Sequence, residues 1–368
     1  MAKPYPKALT ELAPERFETS AIMKKLAAAS RQLAELKGVS ASIPNRQILI
    51  NTLGLQEAKD SSAIENIVTT HDELFKESLF TEEPGNPASK EVLRYRRALA
   101  VGFDAVIEHQ LLTNTNVLQI QAALLMNDAG YRKVPGTTLK DLASRTIYTP
   151  PDPQTVAPLM AALEQFINKD ELFEADPLIK MALIHHQFES IHPFYDGNGR
   201  TGRIINVLYL VKQRLLDTPV LYMSRHIIQT KADYYRLLQS VRENDEWEEW
   251  VMYMLTAVEQ TARDGISTVE AIRSALFDLK HRIRKQHPRL YSQDLINNLF
   301  SHPYTKIQFV ERDLNVSRIT ATKYLNTLAE SGFLEKLKIG RSNFYVNLPL
   351  YAILTGSALQ RGGNDKEG

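Results

Sequence analysis

The sequence contains no cysteine, which excludes disulfide frameworks, thiolate nucleophiles and cysteine-ligated zinc or iron–sulfur sites. It has no uninterrupted apolar run of the roughly 18 residues that a membrane-spanning helix needs. Its first ten residues lack the apolar stretch of a secretory signal. A soluble, cytoplasmic protein is therefore expected, with no membrane partner. Glycine is sparse, 16 in 368 residues, and no repeat or low-complexity tract is present. Only residues 361–368 read as a frayed tail. What remains is 43% hydrophobic and 24% charged, the composition of an ordinary globular chain whose length suits two or three domains.

Net charge is also nearly absent: Lys+Arg 44 against Asp+Glu 43 gives +1. That balance argues against a uniformly basic nucleic-acid coat, yet it conceals an asymmetry. Residues 281–361 carry 12 Lys/Arg against 5 Asp/Glu, or +7, which leaves 32 against 38, or −6, for the rest. A basic C-terminal module is joined to an acidic body.

Helical periodicity dominates that body. Apolar stripes at 3.6 spacing run over 17–36, 64–75, 90–109, 115–127, 155–168, 177–191, 203–216, 231–242 and 247–279. Gly38 sits where a helix end is expected, and Pro44, residues 83–87 and Pro150-Pro151 punctuate the pattern. Residues 135–151 break it with two β-branched and aromatic segments around 140–143, which predict a short hairpin. The basic module reads as helices over 292–300, 307–314 and 318–331, then two strands around a Gly340-Arg341 turn. Helix–turn–helix followed by a hairpin predicts a winged helix.

The most informative segment is His192-Pro193-Phe194-Tyr195-Asp196-Gly197-Asn198-Gly199-Arg200-Thr201-Gly202-Arg203. It joins two periodic segments, and Pro193 cannot continue the first helix. Asn198 suits the N-cap of the second, and Gly197 and Gly199 permit close backbone approach. Free N–H groups at that terminus, with the helix dipole, make an anion site. Arg200 and Arg203, three apart, can converge on the same oxyanions. Asp196 suits a hard cation bridging phosphates, and His192 is placed to deprotonate an attacking hydroxyl. These are the parts of nucleotidyl transfer. The same run satisfies the G-x-G-x-x-G pattern, with Asp217 twenty residues past Gly197. A dinucleotide fold would need a strand before the first glycine, where a helix stands. A plain structural turn would not need this concentration of His, Asp, Asn and Arg.

The segment meets every fixed position of His-Pro-Phe-x-Asp-Gly-Asn-Gly-Arg-x-x-Arg, and so resembles the signature of the Fic (Fic/Doc) family. That resemblance implies a mainly α fold: a Fic-type helical core with a β-hairpin flap, plus a C-terminal winged helix-turn-helix domain. Domains at 1–110, 111–260 and 281–350 follow. It implies AMP transfer from ATP, with Mg²⁺, to a Ser, Thr or Tyr hydroxyl of a target protein not readable from the sequence, the enzyme itself included. His192 would be the general base and Asp196 the metal ligand. Gly197, Asn198 and Gly199 would hold phosphates, Arg200 the β-phosphate and Arg203 the γ-phosphate, with Thr201 and Gly202 counted among the nucleotide-contacting residues. The hairpin corresponds to the family's flap, followed by Tyr148-Thr149-Pro150-Pro151, and docks the target segment by strand addition.

Upstream, Ser61-Ser62-Ala63-Ile64-Glu65-Asn66 admits two readings. Ser62-x-x-Glu65 is a capping box for a helix over 64–75. Ser61-x-x-x-Glu65-Asn66 also resembles the family's inhibitory motif, in which Glu65 would pair with Arg203 and occupy the γ-phosphate position. Tyr235 is assigned to the nucleotide's surroundings, whereas Trp247, Trp250, His185 and His186 are read as structural and Glu189 as a brace for the loop. Tyr324, Leu325 and Leu328 are expected in the core of the basic module. Its Arg318, Thr320, Thr322, Lys323, Lys336, Lys338 and Arg341 keep DNA open as a partner. The whole layout resembles bacterial members that self-modify and dimerise, so a homodimer is expected. The alternatives are a nucleotide-sensing winged-helix transcriptional regulator, or removal of AMP from a modified target with Glu65 aligning a water.

Overall fold

A computed structural model describes residues 6–77, 86–140, 144–339 and 342–356. Two short 3-10 turns, Leu9–Glu11 and Pro14–Phe17, precede α1 (Ser20–Ala41), α2 (Arg46–Ile64), α3 (His71–Glu77), α4 (Pro87–His109) and α5 (Asn114–Leu125). A hairpin of β1 (Leu139–Lys140) and β2 (Thr146–Tyr148) follows, then α6 (Pro153–Asn168), α7 (Pro177–Ile191) and α8 (Asn198–Lys212). Next come α9 (Ser224–Gln229), α10 (Lys231–Asn244) and the long α11 (Trp247–Gln286). The C-terminal elements are α12 (Gln293–Ser301), β3 (Tyr304–Thr305), α13 (Ile307–Leu314), α14 (Arg318–Glu330), β4 (Glu335–Ile339), β5 (Ser342–Val346) and α15 (Leu348–Thr355). The fold is mainly α, as the periodicity predicts.

The described residues fall into two compact units. One draws on Met1–Gly38, Gly54–Thr69 and Asn86–Gly265, the other on Val39–Leu53, Thr70–Gly85 and Ile266–Gly368. In the first unit α7 and α8 are buried on nearly every face, which is why their sequences read as almost continuous apolar runs. They hold the motif loop between them. Around them, α4 presents Val92, Tyr95, Leu99, Phe103 and Val106 to the core, and α5 presents Val117, Ile120 and Leu124. The α4–α8 approach is close: a Cβ on Gly102 would collide with Leu208 Cδ1 and lie 2.8 Å from Ile120 Cδ1. The predicted hairpin is present, pairing Leu139 with Tyr148 and Lys140 with Thr146 in antiparallel register. Residues 141–143 of it lie outside the described residues.

The second unit carries the winged helix. Helices α12, α13 and α14 stand against an antiparallel sheet of order β3–β5–β4. Leu325 and Leu328 are fully buried, but Tyr324 is only half-buried rather than core. Helix α3 belongs to this unit: Tyr304 Oη donates to Asp72 Oδ1 at 2.5 Å, and the Phe75 ring packs 5.9 Å from Tyr351. Arg318, Lys323, Lys336 and Lys338 are exposed, Thr320 and Thr322 are half-buried, and Ile319 is 83% exposed. Gly340 and Arg341 of the expected turn, and residues 361–368, lie outside the described residues.

Three helix boundaries differ from expectation. Gly38 does not end α1, which runs through it to Ala41; open space around this glycine and an ordinary helical backbone let it continue. Helix α8 begins inside the motif, with Gly197 in the left-handed region (φ 76°) at the N-cap position instead of Asn198. The largest difference is α2. The helix expected over 64–75 is in fact two helices, one ending at Ile64 and one starting at His71.

The reason is local. Asn66 adopts φ 64°, Asn66 N–H bonds Ala63 O, and Ile67 N–H bonds Ser62 O, each at 3.0 Å. This pair of bonds around a left-handed residue is the Schellman end of a helix. Ser62 and Glu65 therefore close α2 and do not cap α3. The reciprocal capping box belongs to Thr70 and Glu73, whose backbone N–H and side-chain oxygen groups exchange bonds of 3.1 and 3.2 Å.

Candidate active site

Helix α7 ends at His192, whose left-handed backbone (φ 49°) turns the chain out of the helix. The loop from Pro193 to Gly197 is then fastened from several sides. Asn198 folds back so that its Oδ1 accepts from Phe194 N–H at 2.8 Å and its Nδ2 donates to Phe194 O at 2.9 Å. Arg132, buried and not anticipated from the sequence, donates to His192 O at 2.8 Å and to Pro151 O. Its own N–H bonds Pro193 O at 2.9 Å. Tyr148 of β2 donates to Ser190 O at 2.7 Å, under the Arg242 guanidinium 3.9 Å from its ring. The hairpin is thus tied to the end of α7 by side chains.

At the start of α8, the N–H groups of Asn198, Gly199 and Arg200 make no hydrogen bond among the described residues. Such orphan donors at a helix N-terminus form an anion cradle. Asp196 beside it is largely exposed; its Oδ1 takes Gly197 N–H at 2.6 Å and Arg200 at 3.4 Å. Its Oδ2 accepts nothing among the described residues. Arg200 is buried, bonds Glu91 at 3.2 Å, and leaves its Nε unpartnered. Arg200 and Arg203 therefore do not share one acceptor here, although the spacing allows it.

Arg203 turns instead to α2. Its Nε donates to Ser61 Oγ at 2.8 Å, and its Nη2 donates to Ser61 O at 3.0 Å and to Glu65 Oε1 at 2.9 Å. Glu65 reaches over the first turn of α8: a Cβ on Gly199 would collide with Glu65 Oε1 and lie 2.9 Å from Arg203 Nη1. A carboxylate of the same chain therefore sits at the predicted anion site. The pairing expected between Glu65 and Arg203 is present, and it adds two bonds to Ser61.

His192 is half-buried, and its pKa is pushed down to about 4 by burial and then by the Arg242 and Arg132 guanidinia. The imidazole is neutral at pH 7 and able to accept a proton. Glu189, one turn earlier, has its carboxyl raised to about 7 by burial, with Arg203 opposing the shift; its Oε1 has no hydrogen-bond partner. Gly202 faces α7, where a Cβ would lie 2.9 Å from Glu189 Oε1 and 3.1 Å from Phe188. Thr201 is fully buried with its Oγ1 unpartnered. Tyr235 stands 41% exposed and close enough to Glu65 and Arg203 that both affect its phenol, whose pKa burial raises. Beneath it, Tyr234 Oη meets His185 Nε2 at 2.8 Å, and the His185 ring stacks on Trp250. His186 Nε2 meets Leu238 O at 3.2 Å. These histidines and Trp247 and Trp250 are packed core.

Three family models match the chain in succession: Fic/DOC family N-terminal over residues 23–104, Fic/DOC family over 111–210, and the protein adenylyltransferase SoFic-like C-terminal domain over 276–350. The chain belongs to the Fic/DOC family. It is 32% identical over 98 residues to protein adenylyltransferase fic-1 of Caenorhabditis briggsae, and 33% identical over 98 residues to protein adenylyltransferase Fic of Culex quinquefasciatus. Each match covers 27% of this chain and 18% of the relative, so the chain spans under a fifth of those proteins' length. Among solved structures, a Fic family protein from Desulfovibrio desulfuricans superposes with a TM-score of 0.56 at 21% identity, covering 89% of this chain and 96% of that one. Fic-1 of C. elegans superposes at 0.52 and 19% identity, covering 68% and 74%. At these identities the likeness is one of fold.

Proposed function

We propose that the chain is a protein adenylyltransferase that moves AMP from ATP to a protein hydroxyl and restrains itself through Glu65. The observation that carries this reading is the Arg203–Glu65 pair over the N-terminus of α8. The guanidinium that the motif offers to a triphosphate is already answered by a carboxylate. A phosphate and Glu65 compete for one donor set, so nucleotide binds productively only when Glu65 withdraws. In this reading residues 111–260 carry the chemistry, 1–110 the restraint, and 281–350 a docking module.

His192 accepts the proton of the incoming hydroxyl as its oxygen bonds the α-phosphorus, and pyrophosphate leaves with the electrons of the broken P–O bond. The free N–H groups of Asn198, Gly199 and Arg200 orient phosphate oxygens, with Arg200 and the released Arg203 answering their charge. Tyr235 borders the nucleotide. The residues fit a hard divalent cation, because Asp196 is exposed and one carboxylate oxygen is unengaged. Mg²⁺ held there would neutralise charge on adjoining phosphate oxygens. The test is incorporation of α-labelled ATP by purified protein: Glu65→Ala labels protein, and Glu65→Ala with His192→Ala does not. Label that survives loss of His192 sinks the assignment.

The exposed Arg318, Ile319 and Lys323 on α14, with Lys336 and Lys338 on β4, favour a second, compatible reading in which the winged helix binds duplex DNA. Binding should then weaken steeply with salt. Binding that is absent at low salt removes this reading.

A further inference from the structure

Three polar residues stand four apart on one face of α2 and its C-terminal end: Glu57, Ser61 and Glu65. Ser61 and Glu65 hold Arg203, as described. Glu57, two turns upstream of Glu65, is fully buried and does not touch Arg203's guanidinium by any hydrogen bond. Its Oε1 accepts from Ser224 Oγ at 2.5 Å and from Tyr95 Oη at 3.0 Å, and its Oε2 accepts from Ser224 N–H at 3.2 Å. All three partners are donors, and they come from α4 and from the start of α9. The carboxyl thus meets three donor groups. Nothing in the transfer chemistry uses it.

The cost of burying this carboxyl is offset by the three bonds it makes. We infer that Glu57 is the positioning residue of the restraint: its three bonds to Ser224 and Tyr95 dock α2 so that Glu65 reaches Arg203. The inference rests on Glu65 being the restraint. It explains why a helix that must release Arg203 carries a buried carboxyl two turns away. Ser61 binds Arg203 through its backbone carbonyl as well as its hydroxyl, so side-chain loss at Ser61 or Glu65 alone leaves the helix docked. Loosening at Glu57 moves both groups together.

The experiment compares the full chain with Glu57→Gln, which keeps the volume but turns one acceptor into a donor facing Ser224 and Tyr95. Ser224→Ala, which deletes one donor and leaves Glu57 intact, serves should the glutamine chain fail to fold. Hydrogen exchange of the amides over 58–66 should quicken on the order of tenfold, the scale of one lost buried hydrogen bond, with α7 and α8 unchanged. AMP incorporation should rise on the order of tenfold in the chain carrying Glu65 and not rise further in the Glu65→Ala chain. Unchanged exchange over 58–66, equal quickening in α7 and α8, or equal gains in both Glu65 backgrounds overturns the inference. If exchange over 58–66 quickens but Glu65→Ala itself leaves incorporation unchanged, Glu57 stands as the anchor of α2 and the reading of Glu65 as the restraint fails.

Discussion

Single residues at the site act through space as much as through chemistry. Gly199 has an ordinary helical backbone, so its demand is for room: any Cβ would enter the volume now held by Glu65 Oε1 and Arg203. The same volume lies over the free N–H groups of α8, where an anion would sit. Gly199→Ala should therefore displace Glu65 without producing an active chain. AMP transfer in the Glu65→Ala background should fall more than tenfold when Gly199→Ala is added, read as incorporated label. A rate equal to that of Glu65→Ala alone would show that the cradle is not used. His192, Asp196, Gly197 and the two arginines are legible from their types and spacing alone. Arg132 and Glu57 are not, because each acts on groups far away in sequence, and a lone Arg or Glu carries no signal of what it will meet.

Helix α2 shows what periodicity misses. Residues 52–55, 57, 58, 61, 62 and 64 are all buried, Thr52, Glu57, Ser61 and Ser62 among them. A helix enclosed on most sides, with polar groups inside, shows no single apolar stripe. Its end departs from expectation for a related reason: Ser-x-x-Glu is a start signal by type, while the left-handed Asn66 decides in favour of a stop. That geometry yields a prediction. A β-branched residue at φ 64° costs roughly 1–2 kcal/mol, so Asn66→Val should fray the end of α2, shift the adjacent Glu65 and raise AMP transfer severalfold. Asn66→Gly, which tolerates the conformation, should keep transfer at the parent rate. Equal rates for both variants would disconnect the helix end from the restraint.

At the scale of the molecule, the near-zero net charge divides into an acidic body and a basic winged helix, an asymmetry visible in the sequence. The placement of α3 is not visible there, since its partners Tyr304 and Tyr351 lie more than 200 residues away. Buried titratable groups of the first unit set its response to acid. His192 near 4, His185 near 3 and the strongly lowered His186 are held below 6.5 by burial. Their contribution to stability is complete above about pH 6.5 and is lost as pH falls toward those values. Glu57 and Glu189, raised by burial to about 7, work the other way: they favour the fold as pH falls from 7 toward 4.5 and change little below. Between 6.5 and 4.5 three histidines work against two carboxyls, so the urea midpoint should fall gently there and more steeply below pH 4.5, where the histidines are no longer opposed. A midpoint that falls evenly from about pH 7 would contradict those shifts.

The claim on which the rest depends is that Glu65 withholds Arg203 from a nucleotide. Its most direct measurement is the initial rate of AMP transfer at saturating ATP and Mg²⁺ for Glu65→Ala relative to the parent chain. Loss of the half-buried, charge-assisted Arg203–Glu65 bond predicts a rise of about tenfold. A rate equal to the parent's, or lower, would contradict it.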